Sequence, residues 1–238
     1  MAMLVRAALI AIVAGAGPAA AGAAFQPPRG CTLDVTVQSH SCQVANLYRC
    51  SGDPAGDRWI SYADGEGEYF RTHIDRETRW LESIDLNTGT VDLLDPASSA
   101  DAASFSTLLA TGRDDYDFVT LSNMGDVRRY VGHDRLTGRV QTIDKVPLEQ
   151  TEFELKVLDA EGNLIATRTG TQFISREMRV FFGDRETFEN AQGDSVSTFE
   201  APVSFAFPGD KGFGAAKPDH DCDMMMTGVS PIPTQPTL

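Results

Sequence analysis

The sequence of 238 residues lacks the short motifs that mark the common catalytic and cofactor sites. It has no Gly-x-Ser-x-Gly elbow, no Gly-rich phosphate-binding loop, no His-Glu-x-x-His and no dinucleotide-binding fingerprint. Histidine is scarce, with 4 residues that lie far apart in the chain. We therefore expect no cofactor, and we expect an enzyme only if the fold gathers distant side chains.

Positive charge is also scarce. Lys and Arg number 20 against 34 Asp and Glu, so the formal net charge is −14. Such a charge repels phosphate backbones and anionic lipid headgroups. Nucleic acid is therefore excluded as the expected partner, and docking on a membrane through charge is disfavoured.

Long apolar runs are absent after the first two dozen residues. There, Arg6 is followed by an uncharged, Ala-rich run and by Ala21-Gly22-Ala23, which is typical of a cleavage site. The run is rich in Ala and Gly rather than in Leu and Ile, which disfavours a retained span. We predict a signal peptide over residues 1–23, no stable membrane anchor, and a mature chain that is periplasmic or secreted.

Cysteine is limited to 4 residues, and no Cys-x-x-Cys is present. In an exported chain this predicts two disulfides rather than a metal or redox site, with three alternative pairings. If the first two strands form a hairpin, Val37 faces Val44, Leu33 faces Tyr48, and Cys31 lies opposite Cys50, all on one face. Cys42 then lies at the far end of the ladder, too distant from Cys31 to bridge. We therefore favour Cys31–Cys50 and Cys42–Cys222.

Alternating hydrophobicity predicts strands along most of the chain. Apolar and charged residues alternate in Thr151–Asp159, whereas Met178–Phe182 is apolar on both faces. Short connections such as Asp64–Gly67 are typical of antiparallel hairpins. We predict a mainly β fold, an antiparallel meander that forms a strongly curved sheet or open half-barrel with one short helix. It occupies residues 24–226 as a single domain, and the Pro-rich residues 227–238 form a disordered tail.

Two local patterns refine this prediction. Asp-x-x-Thr-Gly-x-Val occurs at Asp85–Val91 and at Asp134–Val140, and it predicts two hairpin turns. Ala97–Gly112 predicts the helix, which ends at Gly112. The helix carries an apolar stripe that, with two aromatic residues, could line an apolar ligand cavity; the alternative is that these residues fill a core. The five residues are Phe105, Leu108, Leu109, Phe173 and Phe181.

Two further clusters suggest chemistry. Asp219, His220, Asp221 and Asp223, followed by three methionines, form a candidate metal site; the alternative is a solvated turn. His133 lies next to Asp134, which could orient an imidazole for acid–base catalysis; the alternative is a surface histidine beside a turn.

Several segments together carry a resemblance: CTLDVTVQSHSC, ASFSTLLATGRDDYDF, YVGHDRLTG, VPLEQTEFE and RVFF. Over nearly the whole mature chain the sequence resembles a family of uncharacterised exported proteins of proteobacteria, which implies export and a single domain but no chemistry. The meander with one helix is also similar to the half-barrel of LolA-like lipoprotein carriers. That similarity implies a concave face for acyl chains, with the helix as a lid.

These observations favour a non-enzymatic periplasmic protein that binds an apolar small molecule, a lipid or another envelope protein. The alternatives are a hydrolase that uses His133 with an aspartate, and a scaffold for envelope assembly.

Overall fold

The computed structural model describes residues 24–225, most of which lie in strands. The strands are β1 (Cys31–Ser39), β2 (Gln43–Cys50), β3 (Arg58–Ala63), β4 (Glu68–Ile74), β5 (Trp80–Asp85), β6 (Thr90–Leu94), β7 (Arg113–Ser122), β8 (Val127–Ile143), β9 (Val146–Leu158), β10 (Leu164–Ser175), β11 (Val180–Asn190), β12 (Ser195–Phe199) and β13 (Pro202–Ala206). The helices are α1 (Phe105–Thr111) and the single turn α2 (Cys222–Met225). None of the helices in the described range has the length and apolar character needed to span a bilayer. The predicted signal peptide and disordered tail lie outside the described residues.

The thirteen strands form one antiparallel sheet. Strands β1 to β12 follow one another as neighbours, and β13 returns to pair with the free side of β1. This arrangement confirms the predicted fold class of an antiparallel meander with a short helix. Each connection from β1 to β12 joins neighbouring strands, and the longest of them, between β6 and β7, contains α1.

The connection from β12 to β13 makes the sheet curl. These strands lie at opposite edges of the sheet, yet only Glu200 and Ala201 separate them in the chain. Three Cα-to-Cα steps span at most about 11 Å, so the two edges must approach each other. Strand β12 pairs with β11 and β13 with β1, so the curled sheet remains open.

The main core confirms the curl. Side chains of β1–β4 and of β13 pack against side chains of β9–β11, which are distant from them in strand order. The first three residues of β11, Val180–Phe182, are buried on both faces, as the two-sided apolar pattern of Met178–Phe182 predicts. Phe182 packs on Phe205 with ring centroids 5.3 Å apart, and Phe181 packs on Phe105 of α1 at 5.6 Å. The last strands therefore lie inside the curl of the first.

A C-terminal strap, residues 207–222, crosses the other face of β1 and β2. It satisfies polar side chains that are buried there. The Gly214 N–H donates to Thr36 Oγ1 at 2.8 Å, Asn46 Nδ2 donates to the Ala215 carbonyl at 2.9 Å, and Gln38 Nε2 donates to the Lys217 carbonyl at 3.1 Å. Thr36 Oγ1 also donates to Asn46 Oδ1, so loss of the strap would remove one of the partners of each of these residues and all the strap's bonds to Gln38.

Both disulfides have the predicted partners, Cys31–Cys50 and Cys42–Cys222. The predicted hairpin register is correct from Cys31–Cys50 to Leu33–Tyr48 but wrong beyond Leu33, because Val37 faces Ala45 rather than Val44. The cause is a β-bulge at Asp34, whose carboxylate accepts hydrogen bonds from Arg49 and Arg58. The extra residue moves the side chains that follow it to the other face.

Two other boundaries differ from the predictions. Helix α1 begins only at Phe105, after the N-cap Ser104, because the preceding segment runs along β7 and Asp101 pairs with Asp117. The predicted turn at Asp134–Val140 is wrong as well. It is a bulge within β8, where Thr137 Oγ1 donates to the Gln150 carbonyl across the strand pair.

The two disulfides should differ in how much they stabilise the fold. Cys42–Cys222 spans 180 residues and Cys31–Cys50 spans 19. In the chain-entropy account the longer loop contributes about 5 kcal/mol and the shorter about 3 kcal/mol. We expect Cys42→Ala/Cys222→Ala to lower the free energy of unfolding by about 2 kcal/mol more than Cys31→Ala/Cys50→Ala, as measured by denaturant unfolding. Equal losses would contradict this ranking.

Candidate functional site

An aromatic cleft opens between β5, the segment before α1, and one face of β7–β10. The space between the atoms of its walls, including its mouth, is about 530 Å³. Aromatic, aliphatic and a few polar side chains share the walls. The lining residues that matter below are Arg79, Trp80, Tyr116, Phe118, Asp134 and Phe181.

Strand register explains why these side chains meet. On β7, Asp114, Tyr116 and Phe118 alternate with outward residues, and all three are buried. Directly opposite them on β8 lie Asp134, Gly132 and Tyr130, respectively. We call this the cleft face; it continues onto β9 through the side chains of Phe153 and Leu155.

Two glycines allow the strands of the cleft face to approach closely. A Cβ on Gly132 would lie 2.1 Å from the Glu154 carbonyl oxygen and 3.0 Å from Tyr116 Cε2. A Cβ on Gly170, which lies opposite Phe153, would be 2.0 Å from the Arg185 carbonyl oxygen. Each glycine therefore faces an aromatic residue across the ladder, and the ring of Tyr116 lies over the position without a side chain.

The aromatic side of the cleft is a packed cluster. Trp80 meets Phe118 and Tyr130 edge-on, with centroids 5.4 Å apart in both pairs. Phe118 stacks on Tyr130 at 4.9 Å, and Tyr116 tilts against Phe118 at 5.9 Å. Such contacts stabilise the wall beyond simple burial and fix the orientation of the rings.

Two carboxyl groups, Asp114 and Asp134, lie opposite each other on β7 and β8. Their side chains are buried, at 6% and 8% exposure of the residue. The Asp114 carboxylate accepts a hydrogen bond from the Ser104 N–H at 2.7 Å, so it also fixes the segment that begins α1. Asp134 belongs to the wall of the cleft.

The environment favours the protonated form of both carboxyls. Burial raises the pKa of Asp134 well above its usual range, and the Asp114 charge adds to the rise. Burial also raises the pKa of Asp114 to about 6, against the effect of the Ser104 hydrogen bond and with the help of the negative charges of Asp101, Asp115 and Glu77. Like charges this close cannot both ionise cheaply.

The two basic side chains near the cleft are already paired elsewhere. Arg79 Nε lies 2.6 Å from Asp75 Oδ2. Arg168 forms a bidentate pair with Glu186, at 2.5 and 2.9 Å. Among residues 24–225, the recorded ion pairs include none to Asp114 or Asp134. The carboxyl pair therefore has no cationic partner among the described side chains.

A second space of about 310 Å³ lies within the curl. Phe181 contributes to the walls of both spaces. The second is lined by aliphatic side chains of β1–β3 and by Tyr62, Phe182 and Glu200. Burial raises the pKa of the Glu200 carboxyl.

The sequence-predicted lining residues occupy three different places. Phe181 lies in the wall of the cleft. Phe105, Leu108 and Leu109 of α1 pack behind it, against Phe181 and Ile174. Phe173 lies in the main core on the opposite face of β10 from the cleft, since its neighbour Gln172 lines the cleft.

Sequence reasoning missed Asp114, Trp80 and Tyr116. The signal was present in Arg113–Phe118, where Tyr116 and Phe118 alternate with polar residues. Period-two alternation places Asp114 on the same buried face as these rings. A carboxyl at an inward position of a strand is unusual enough to indicate a site.

The predicted support of His133 by Asp134 is wrong. The two residues are consecutive in β8, so their side chains point to opposite faces of the sheet. Asp134 faces the cleft, while His133 lies opposite Asp115 and Glu154. The closest His–Asp contact is instead His40 Nδ1 to Asp221 Oδ2, at 2.6 Å, where the strap meets the end of β1.

The residues of the predicted metal cluster attach the strap to the end of β1 and to the turn that follows it. Asp221 contacts His40, the Asp219 N–H donates to Gln38 Oε1, and the His220 carbonyl accepts from the Cys42 N–H. Asp223 is exposed. Within the part of the chain that the structure describes, no group of three His, Cys, Asp or Glu side chains is arranged to hold a metal ion.

Comparison with known proteins gives no information about the function of this site. No protein-family model, curated protein or solved structure matches the chain. The family and carrier resemblances described above therefore stay predictions.

The buried carboxyls should make stability depend on pH. Where the folded pKa exceeds the unfolded one, the folded state retains protons that the unfolded chain has released, so these groups lower the free energy of unfolding as pH rises from about 4 through the folded pKa. We expect Asp134→Asn to raise the free energy of unfolding at pH 8 by about 1 kcal/mol or more, and by less at pH 5. Denaturant unfolding at both pH values measures this.

The matched control is Asp126→Asn, which removes an exposed carboxylate from the turn between β7 and β8. It should change the free energy of unfolding equally at the two pH values. A loss of stability in Asp134→Asn at pH 8 would contradict the assignment.

The close approach at Gly132 predicts a second effect. We expect Gly132→Ala to lower the free energy of unfolding by about 1–3 kcal/mol, because the methyl group would overlap the Glu154 carbonyl. The control is Gly52→Ala, whose Cβ would meet no heavy atom within 4 Å. Thermal unfolding of the two variants measures the difference. Equal stabilities would show that β8 and β9 can separate without cost.

Proposed function

We propose that the protein is a non-enzymatic binding protein of the cell envelope, which takes a small apolar ligand into the aromatic cleft. The observation that carries the proposal is a concave site with mostly apolar walls. The cleft is walled by Trp80, Tyr116 and Phe118 and reaches the surface. Concave, mostly apolar sites with few polar groups are typical of small-molecule binding.

The dimensions favour a small molecule over a whole lipid. About 30 Å³ of the cleft admits the centre of a water-sized sphere, so a ring system or a short chain could enter only if side chains of the walls moved. The adjacent 310 Å³ space could extend the site if the Phe181 side chain moved, which would admit the end of a longer chain.

The disulfides support the proposed compartment. Cys31–Cys50 and Cys42–Cys222 are both formed, and the chain has no free cysteine among its described residues. Such usage is compatible with an oxidising, extracytoplasmic environment such as the periplasm.

A surface feature favours a second candidate, binding of another envelope protein. Leu93 and Leu121 face each other across β6 and β7, with 48% and 44% exposure, and Met124 in the next turn is 70% exposed. Adjacent exposed apolar side chains of this kind are typical of interaction surfaces. The hydrolase alternative loses support, because the fold separates His133 from Asp134.

The proposal is tested by blocking the cleft. Ala103 lies in its wall, so Ala103→Phe should fill the space. We expect toluene and naphthalene to bind the wild-type protein, with Kd values of about 10 μM to 1 mM, and to lose at least about tenfold in affinity for Ala103→Phe. Ligand-observed NMR and quenching of Trp80 fluorescence measure binding.

The matched control is Ala110→Phe, which adds the same ring on the exposed side of α1 and should bind as the wild type does. Absence of binding to the wild-type protein, or equal binding to both variants, would contradict a ligand site in the cleft. Co-purification of a protein that dissociates from Leu121→Asp but not from Ala103→Phe would favour the second candidate.

A further inference from the structure

The chemistry of the cleft specifies more than apolar character. Its aromatic walls meet a pair of carboxyl groups, and the nearby guanidinium groups of Arg79 and Arg168 are neutralised by Asp75 and Glu186. The cleft therefore combines a low-polarity wall with two carboxyl groups that form no ion pair with a basic side chain of the described residues.

The carboxyl of Asp134 is positioned toward a ligand. It lies in the wall of the cleft, whereas Asp114 is engaged by the Ser104 N–H. On the same face of β8, Gly132 has no side chain, so the ring of Tyr116 covers the position next to Asp134. A ligand in the cleft would thus contact the carboxyl and an aromatic face together.

Aromatic faces attract cations. The negative face of a tryptophan, tyrosine or phenylalanine ring stabilises an ammonium group by about 0.5–2 kcal/mol, most strongly where water is excluded. Trp80, Tyr116 and Phe118 all line the cleft. Alkyl groups on the nitrogen would bury against the same rings.

We infer that the cleft selects a small organic cation, an alkylated ammonium compound, whose positive group lies beside Asp134 and whose alkyl groups contact Trp80, Tyr116 and Phe118. This inference rests on the proposed function and narrows its ligand class. A cation beside Asp134 would favour the ionised form of the carboxyl and pair with it, whereas a neutral hydrocarbon supplies no counter-charge.

The raised pKa of both carboxyls agrees with this assignment. It reflects the burial of both carboxyls, the negative charge of Asp114 next to Asp134, and the negative charges of Asp101, Asp115 and Glu77 near Asp114. The positions of Asp134 and the rings carry the inference independently of that shift.

The test compares a cation with its uncharged isostere. Choline carries a trimethylammonium group, and 3,3-dimethylbutan-1-ol has the same shape with carbon in place of nitrogen. We expect choline to bind the wild-type protein at pH 8 at least about tenfold more tightly than the alcohol does, as measured by calorimetry and Trp80 fluorescence.

Two variants locate the effect. Asp134→Asn should lower choline affinity about tenfold and change that of the alcohol less than about twofold, while Asp126→Asn should change neither. Trp80→Leu gives an independent reading if Asp134→Asn does not fold, and it should weaken choline more than the alcohol.

Each outcome decides between the proposals. Stronger or equal binding of the alcohol would overturn the cation assignment and leave the apolar ligand site standing. Equal loss of both ligands in Asp134→Asn would also overturn it, because the carboxyl would then act only through the fold. Failure of toluene, naphthalene, choline and the alcohol alike would refute the proposed function itself.

Discussion

The short connection between β12 and β13 imposes the constraint on which the architecture depends. Two residues carry the chain from one edge of a 13-stranded sheet to the other. An extended or gently twisted sheet of that width cannot be bridged in this way, since each residue advances the chain by at most about 3.6 Å. The sheet must therefore curl until β11 lies inside it, and every feature of the interior follows from that curl.

The curl raises the energetic cost of polar residues on the enclosed face of the sheet. On an open antiparallel sheet one face is hydrated, and a carboxyl there costs little. Here Arg168 and Glu186 lie inside and neutralise each other, whereas Asp114 and Asp134 face each other without a cation. Burying like charges side by side lowers stability. Proteins retain such arrangements chiefly at sites where a ligand or a reaction uses them.

Local patterns in the sequence predict much of the fold but little of the site. Alternation identifies the strands, two-sided hydrophobicity identifies β11, and hairpin geometry pairs Cys31 with Cys50. The bulge at Asp34 could not be foreseen, because its ion pairs to Arg49 and Arg58 form only after β2 and β3 are paired. The cleft could not be foreseen either. It requires Trp80 of β5 to meet Phe118 of β7, and alternation says nothing about which faces the curl brings together.

The C-terminal strap has a consequence for the order in which the molecule is completed. Synthesis proceeds from the amino end, so β1 emerges first while its second neighbour, β13, and the partner of Cys42 arrive last. Until then one edge of β1 presents unpaired peptide groups, and an open edge of this kind readily pairs with other chains. The nascent protein therefore carries an unpaired edge of β1, which can aggregate, for almost the whole time of its synthesis.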